Sequence, residues 1–153
     1  MADDTLFGAL SERPELARSL AAHLRAFEDS AMPARTRELV ALMVGWLNAC
    51  DYCTCVHEEY ARKLGIDTAT LEALGDFGRS EHFSEAERAA LSATVALTRE
   101  PRALPPSLWD AMRAHYDEAE CVEIVSWIGL NNYLSRVSNA LNLQPPAPAP
   151  AQP

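Results

Sequence analysis

Residues 35–65 read RTRELVALMVGWLNACDYCTCVHEEYARKLG, and this stretch decides the fold. From Leu39 to Ala49 it is apolar almost all round, broken only by Gly45 and Asn48. A helix without a polar face is a buried one, so a central helix is predicted over 33–49, opening at Pro33. After Cys50 the pattern turns amphipathic. Cys53, Val56, His57, Tyr60 and Leu64 follow i, i+3, i+4, i+7, i+11 and are predicted to share a core-facing stripe, with Glu58, Glu59, Arg62 and Lys63 on the wet side. Gly65 supplies a natural C-terminal cap. The stretch therefore reads as two helices joined by a turn that carries three of the four cysteines.

Working outward, the rest of the chain is also helical in period, and no segment alternates long enough to suggest a strand. A helix is predicted over 14–28, opening with Pro14 and placing Leu16, Leu20, Leu24 and Phe27 on one face. Asp67 or Thr68 caps a short helix through Leu74. Ser84-Glu-Ala-Glu87 is a capping box whose helix runs to about Arg99. Pro105-Pro106-Ser107 opens another carrying Leu108, Trp109 and Met112. Asp117-Glu-Ala-Glu120 starts a long last helix to about Leu141, with Val122, Val125, Ile128, Val137 and Leu141 inward. The fold class is all-α, about six to seven helices, in a single domain over 1–143. The Pro/Ala-rich end, 144–153, is predicted to be a disordered polyproline-type tail.

Composition narrows the function classes. The 153 residues are 48% hydrophobic, and 22 acidic against 13 basic residues give a net charge of -9. That hydrophobic share suits a folded core rather than a disordered chain. No Lys/Arg block is present, which argues against nucleic acid and against an anionic membrane as partners. No signal peptide is visible, and the apolar run at 39–49 falls short of the ~20 residues that cross a bilayer. The expected location is cytoplasmic. There, four cysteines point to redox or metal chemistry rather than to a structural disulfide framework.

The chemistry concentrates in Cys50-Asp-Tyr-Cys53-Thr-Cys55-Val-His57, with Glu38 twelve residues before Cys50. Two thiols at CxxC spacing can close a disulfide. A helix start stabilises a thiolate, the attacking species in peroxide reduction and disulfide exchange. His57 lies one turn after Cys53 and can accept or relay a proton, and Glu38, at the edge of a buried helix, is a candidate general base. Cys55, rotated about 200° from Cys53, points elsewhere. Cys121 reads as packing. A zinc site would use Cys50, Cys53 and His57, with Cys55 as an optional fourth ligand, but no second CxxC or HxxxH accompanies them, so no metal and no cofactor are expected. The dipole alone favours the more N-terminal Cys50 as the attacking thiol, whereas the helical wheel favours Cys53, which shares a face with His57.

Glu38 followed by Cys50-x-x-Cys53-x-x-x-His57 resembles the core motif of the alkylhydroperoxidase D-like / carboxymuconolactone decarboxylase family. The stretches FSEAERAALSATVALTRE (83–100) and NNYLSRVSNALNL (131–143) resemble segments that follow it. The resemblance, over roughly 33–143, implies an alkylhydroperoxidase D-like helical fold, assembly into a trimer or hexamer, and thiol-dependent reduction of hydroperoxides. It further implies Cys53 as the peroxidatic thiol, Cys50 as the resolving thiol, Glu38 and His57 as a proton relay, and a dithiol reductant or reducing protein as partner. Tyr52 stands where some of these peroxidases have a second histidine, and Ser135 where Asn is frequent. The decarboxylase branch generally lacks the cysteine pair. The alternatives are a non-enzymatic helical oligomer with redox-sensing or structural thiols, and a lactone enzyme working through Glu38 and His57.

Overall fold

The computed structural model describes residues 5–100 and 102–146. Eight α-helices follow one another among the described residues: α1 (Leu6–Leu10), α2 (Pro14–Arg25), α3 (Ala34–Leu47), α4 (Asp51–Lys63), α5 (Thr68–Glu72), α6 (Glu85–Arg99), α7 (Pro106–Arg113) and α8 (Glu118–Ala140). A single 3-10 turn, Ala73–Asp76, extends α5. No strand occurs among the described residues. The count exceeds the expected six to seven because α1 is short and has no readable period. It is fastened instead by its cap, where Thr5 accepts from the Gly8 N–H, and by Tyr52, whose hydroxyl accepts from the Leu6 N–H at 3.1 Å.

α3 lies at the centre, packed against α4, α6 and α8. Its residues Leu39 to Val44 are all buried. Leu39, Leu42 and Met43 meet Ala61, Ile66, Leu74, Phe83 and Leu91 on one side. Val40, Ala41 and Val44 meet Met112, Ile124, Trp127 and Ile128 on the other. A helix buried on both sides has no use for a polar face, which is why the sequence supplies none. Both capping boxes form, at Ser84/Glu87 and Asp117/Glu120, and Asp67 caps α5. Each such cap is worth ~1 kcal/mol.

Several boundaries and faces differ from the reading of the sequence. α3 stops at Leu47 rather than 49 because Ala49 takes a left-handed backbone (φ 49°) that turns the chain into α4. α2 ends at Arg25, short of 28. Tyr60 and Leu64, expected on a core-facing stripe, are 52% and 48% exposed, because that face of α4 borders an open cavity and solvent rather than another helix. The inward face of α4 is carried by Ala61. Leu16, Val122 and Leu141, also expected inward, are exposed, and Trp46 at the end of α3 is 55% exposed beside Gly75. Most of the expected tail, 147–153, lies outside the described residues, and Gln144 to Pro146 carry no regular structure. No helix among the described residues is long and apolar enough to cross a membrane.

Candidate active site

The turn between α3 and α4 is built to present two sulfurs differently. Asn48 ends α3, Ala49 reverses the chain, and the Cys50 N–H donates to the Gly45 carbonyl at 2.9 Å. Cys50 then serves as N-cap of α4, its Sγ accepting from the Cys53 N–H at 3.3 Å. The two cysteines are paired as a disulfide, with Cα atoms 5.3 Å apart. Cys50 is 1% exposed, and only Cys53 reaches the cavity beside the site. Gly45 lets α4 approach this closely: a Cβ there would stand 3.1 Å from Thr54 Oγ1 and 3.5 Å from Cys53 Cβ.

A polar set from α8 holds the turn from behind. Asn48 Nδ2 donates to Asn132 Oδ1 (3.0 Å) and Ser135 Oγ (2.7 Å), and Asn139 Nδ2 donates to the Asn48 carbonyl at 2.8 Å. Asn132 is itself tied to Thr98 on α6. Ser135 is thus a structural partner of the turn.

On the cavity side, Glu38 and His57 meet directly, Glu38 Oε2 to His57 Nδ1 at 2.8 Å. Both are largely buried, and Arg37 Nε lies 3.6 Å from the other carboxylate oxygen. A carboxylate that accepts at Nδ1 fixes the imidazole tautomer and leaves Nε2 free to exchange a proton. Trp127 of α8 sets its ring edge-on to His57, centroids 6.4 Å apart, and its indole N–H donates to the Arg37 carbonyl. His57 follows Cys53 by one turn, a rise of ~6 Å, and both line a cavity of about 900 Å³. Phe27, Leu24, Leu6, Val56 and Leu134 make much of that cavity apolar.

Of the residues singled out from the sequence, Glu38, His57 and Cys53 converge on the cavity and Cys50 backs Cys53. Cys55 is not among the cavity-lining residues; its thiol points to the Pro146 carbonyl. Cys121 is buried against the Tyr116 carbonyl, and burial pushes its thiol pKa up, away from thiolate chemistry. No group of three or more His, Cys, Asp or Glu among the described residues is arranged to hold a metal ion. Arg37, Trp127, Asn131 and Ser138 escaped the sequence reading. The one signal for the last two is polar residues in phase with Trp127 on an otherwise apolar helix face.

Helices throughout the described residues, a CxxC disulfide at a helix start and a Glu–His pair on its cavity side make up the site. The sequence profile of the carboxymuconolactone decarboxylase family matches residues 14–96, and the chain belongs to that family. It is 31% identical to the uncharacterized protein YdfG of Bacillus subtilis, over 74% of this chain and 78% of YdfG. It is 26% identical to the uncharacterized protein YnjA of Escherichia coli, over 70% of this chain and 59% of YnjA. Among solved structures, a protein of unknown function from Agrobacterium tumefaciens, a candidate antioxidant defence protein AhpD, superposes with a TM-score of 0.85 at 24% identity, over 91% of this chain and 96% of its own. The debrominase Bmp8, solved in complex with 2,3,4-tribromopyrrole, superposes with a TM-score of 0.83 at 22% identity, over 92% of this chain and 76% of its own.

Proposed function

We propose that this protein is a thiol-dependent peroxidase that reduces hydroperoxides through Cys53 and Cys50. The observation that carries the reading is the asymmetry of the pair: Cys53 lines the cavity that also holds His57, while Cys50 is buried behind it. The Cys53 thiolate attacks the terminal oxygen of the hydroperoxide. The O–O bond breaks, and the alkoxide takes the proton that His57 received from the Cys53 thiol, leaving as an alcohol. Cys53 is then a sulfenic acid. Cys50 attacks its sulfur, water leaves, and the disulfide forms. A dithiol reductant or reducing protein supplies two electrons by exchange and restores both thiols. Glu38 orients His57 and stabilises the imidazolium that carries the proton.

The working unit in this reading is one helical domain over 1–143, acting in the cytoplasm as a homo-oligomer, a trimer or hexamer. Exposed Trp46 and Val122 are compatible with subunit contacts. The test is peroxide turnover with a dithiol reductant, comparing the wild type with Cys53→Ser. Multiple turnovers lost in the variant support the reading. A single stoichiometric oxidation without turnover supports a redox-sensing or structural role for the thiols. Lactone chemistry that survives loss of both thiols supports the decarboxylase-like alternative through Glu38 and His57.

A further inference from the structure

α1 is too short to hold itself. It has five residues, and isolated helices of that length are unstable in water. Leu6 and Leu10, one turn apart, are each 8% exposed and belong to the core. The first turn of a helix also leaves N–H groups that need partners. Thr5 accepts from the Gly8 N–H. The Tyr52 hydroxyl, 46 positions along the chain, accepts from the Leu6 N–H at 3.1 Å. Among the described residues this is the one hydrogen bond from α1 to any element beyond α2.

Tyr52 stands between Cys50 and Cys53, so the bond ties α1 to the reactive turn itself. It also sets where α1 meets the cavity, because Thr5, Leu6 and Phe7 line that space together with Tyr52, Cys53 and His57. Phe7 is the member that the core does not account for. Successive helix residues are turned by about 100°, so a helix that buries Leu6 and Leu10 points Phe7 elsewhere. Its ring is 42% exposed and belongs to neither core cluster. Apolar surface on the wall of a concave site is what the body of a ligand covers. The cavity, about 900 Å³, also far exceeds what hydrogen peroxide fills and matches the space that takes an organic molecule.

Resting on the peroxidase reading for the reaction itself, we propose that Tyr52 is a positioning residue. It holds α1 on the cavity so that Leu6 and Phe7 contact the apolar body of an organic hydroperoxide. The selectivity this gives lies between two oxidants that share an O–O bond. An organic hydroperoxide carries an apolar group that needs the α1 wall. Hydrogen peroxide carries none, and its reduction at Cys53 is indifferent to where α1 lies. Tyr52 thus acts on the binding of one substrate class and not on the reacting atoms. A part in proton transfer has a different signature, since it slows both oxidants alike.

The test compares the full-length wild type with Tyr52→Phe, which removes only the accepting oxygen, and with Phe7→Ala. With cumene hydroperoxide and a dithiol reductant, KM rises about fivefold in Tyr52→Phe, the effect of one net hydrogen bond, while kcat is kept. Hydrogen peroxide is reduced by both variants at the wild-type rate. Amide hydrogen exchange in α1 quickens about fivefold in Tyr52→Phe. By calorimetry on the reduced protein, 2-phenyl-2-propanol, the unreactive alcohol of that peroxide, binds both variants several-fold more weakly than the wild type. Equal slowing of the two oxidants in Tyr52→Phe overturns the proposal and places Tyr52 at the reacting atoms. Unchanged α1 exchange in that variant overturns it, as does alcohol binding that is absent from the wild type or unchanged in both variants. Alcohol binding that weakens in both variants of a protein that turns over no peroxide keeps Tyr52 and α1 as the wall of a binding site and removes the peroxidase reading, so the two fail separately.

Discussion

α8 has two polar faces, and they are finished differently. Toward the α3–α4 turn, Asn132, Ser135 and Asn139 are bonded to Asn48 in a closed set. Toward the cavity, Asn131 bonds only the Trp127 carbonyl of its own helix, and the Ser138 hydroxyl bonds nothing among the described residues. The closed face braces the turn that carries Cys50. The open face looks onto the space that Cys53 and His57 share. A bonded polar network thus sits behind the disulfide, while the polar groups of α8 on the other face have fewer partners among the described residues.

The comparison breaks most visibly on the open side. Glu38→Gln and His57→Ala are each expected to lower peroxide turnover by ~10²–10⁴-fold, the usual worth of a positioned proton-transfer group, while circular dichroism stays helical. Unchanged rates in both variants would reduce the 2.8 Å pair to a structural contact. On the closed side the expected loss is in stability. Asn48→Ala removes the donors to Asn132 and Ser135 and should cost ~1–2 kcal/mol in denaturant unfolding, since partners are left unmet in a half-buried place. A variant as stable as the wild type would mean that the α8 network does not brace the turn.

Two smaller effects sharpen the same contrast. Gly45→Ala puts a methyl group 3.1 Å from Thr54 Oγ1 and 3.5 Å from Cys53 Cβ, so Thr54 or the start of α4 has to give by a few tenths of an ångström, and ~1 kcal/mol should be lost. Ala49→Gly should raise stability by ~0.5–1 kcal/mol, because Ala49 holds a left-handed φ that glycine adopts freely. A loss of stability in Ala49→Gly would mean that backbone strain at this turn is outweighed by glycine's greater freedom in the unfolded chain.

Much of the fold is legible in the sequence. The apolar run at 39–49 marked the central helix because burial on all sides leaves a compositional trace, and the Ser84 and Asp117 boxes marked helix starts because capping is local chemistry. Glu38, Cys50, Cys53 and His57 were legible through spacing. The rest depended on what lies across a gap. A helical wheel states which residues share a face but not what that face meets, so Tyr60 and Leu64 were placed against a core where the fold has an open edge. Trp46 belongs to the apolar run yet is 55% exposed, because the helix ends at the protein surface. α1 was invisible because its fastening is a long-range bond from the Leu6 N–H to Tyr52. Asn131 and Ser138 line the cavity only because α8 lies alongside α4, a tertiary fact that no local pattern encodes.

The central claim is that Cys53 attacks and Cys50 resolves. The direct measurement is trapping with a dimedone-type probe after one equivalent of a hydroperoxide, followed by peptide mass spectrometry on Cys50→Ser and Cys53→Ser. Rapid labelling of Cys53 in Cys50→Ser and slow labelling of Cys50 in Cys53→Ser are expected, since the Cys50 sulfur is buried away from the cavity. Faster labelling of Cys50 in Cys53→Ser than of Cys53 in Cys50→Ser would contradict it, reversing the two roles and making the start of α4, rather than the shared face with His57, the feature that activates the thiol.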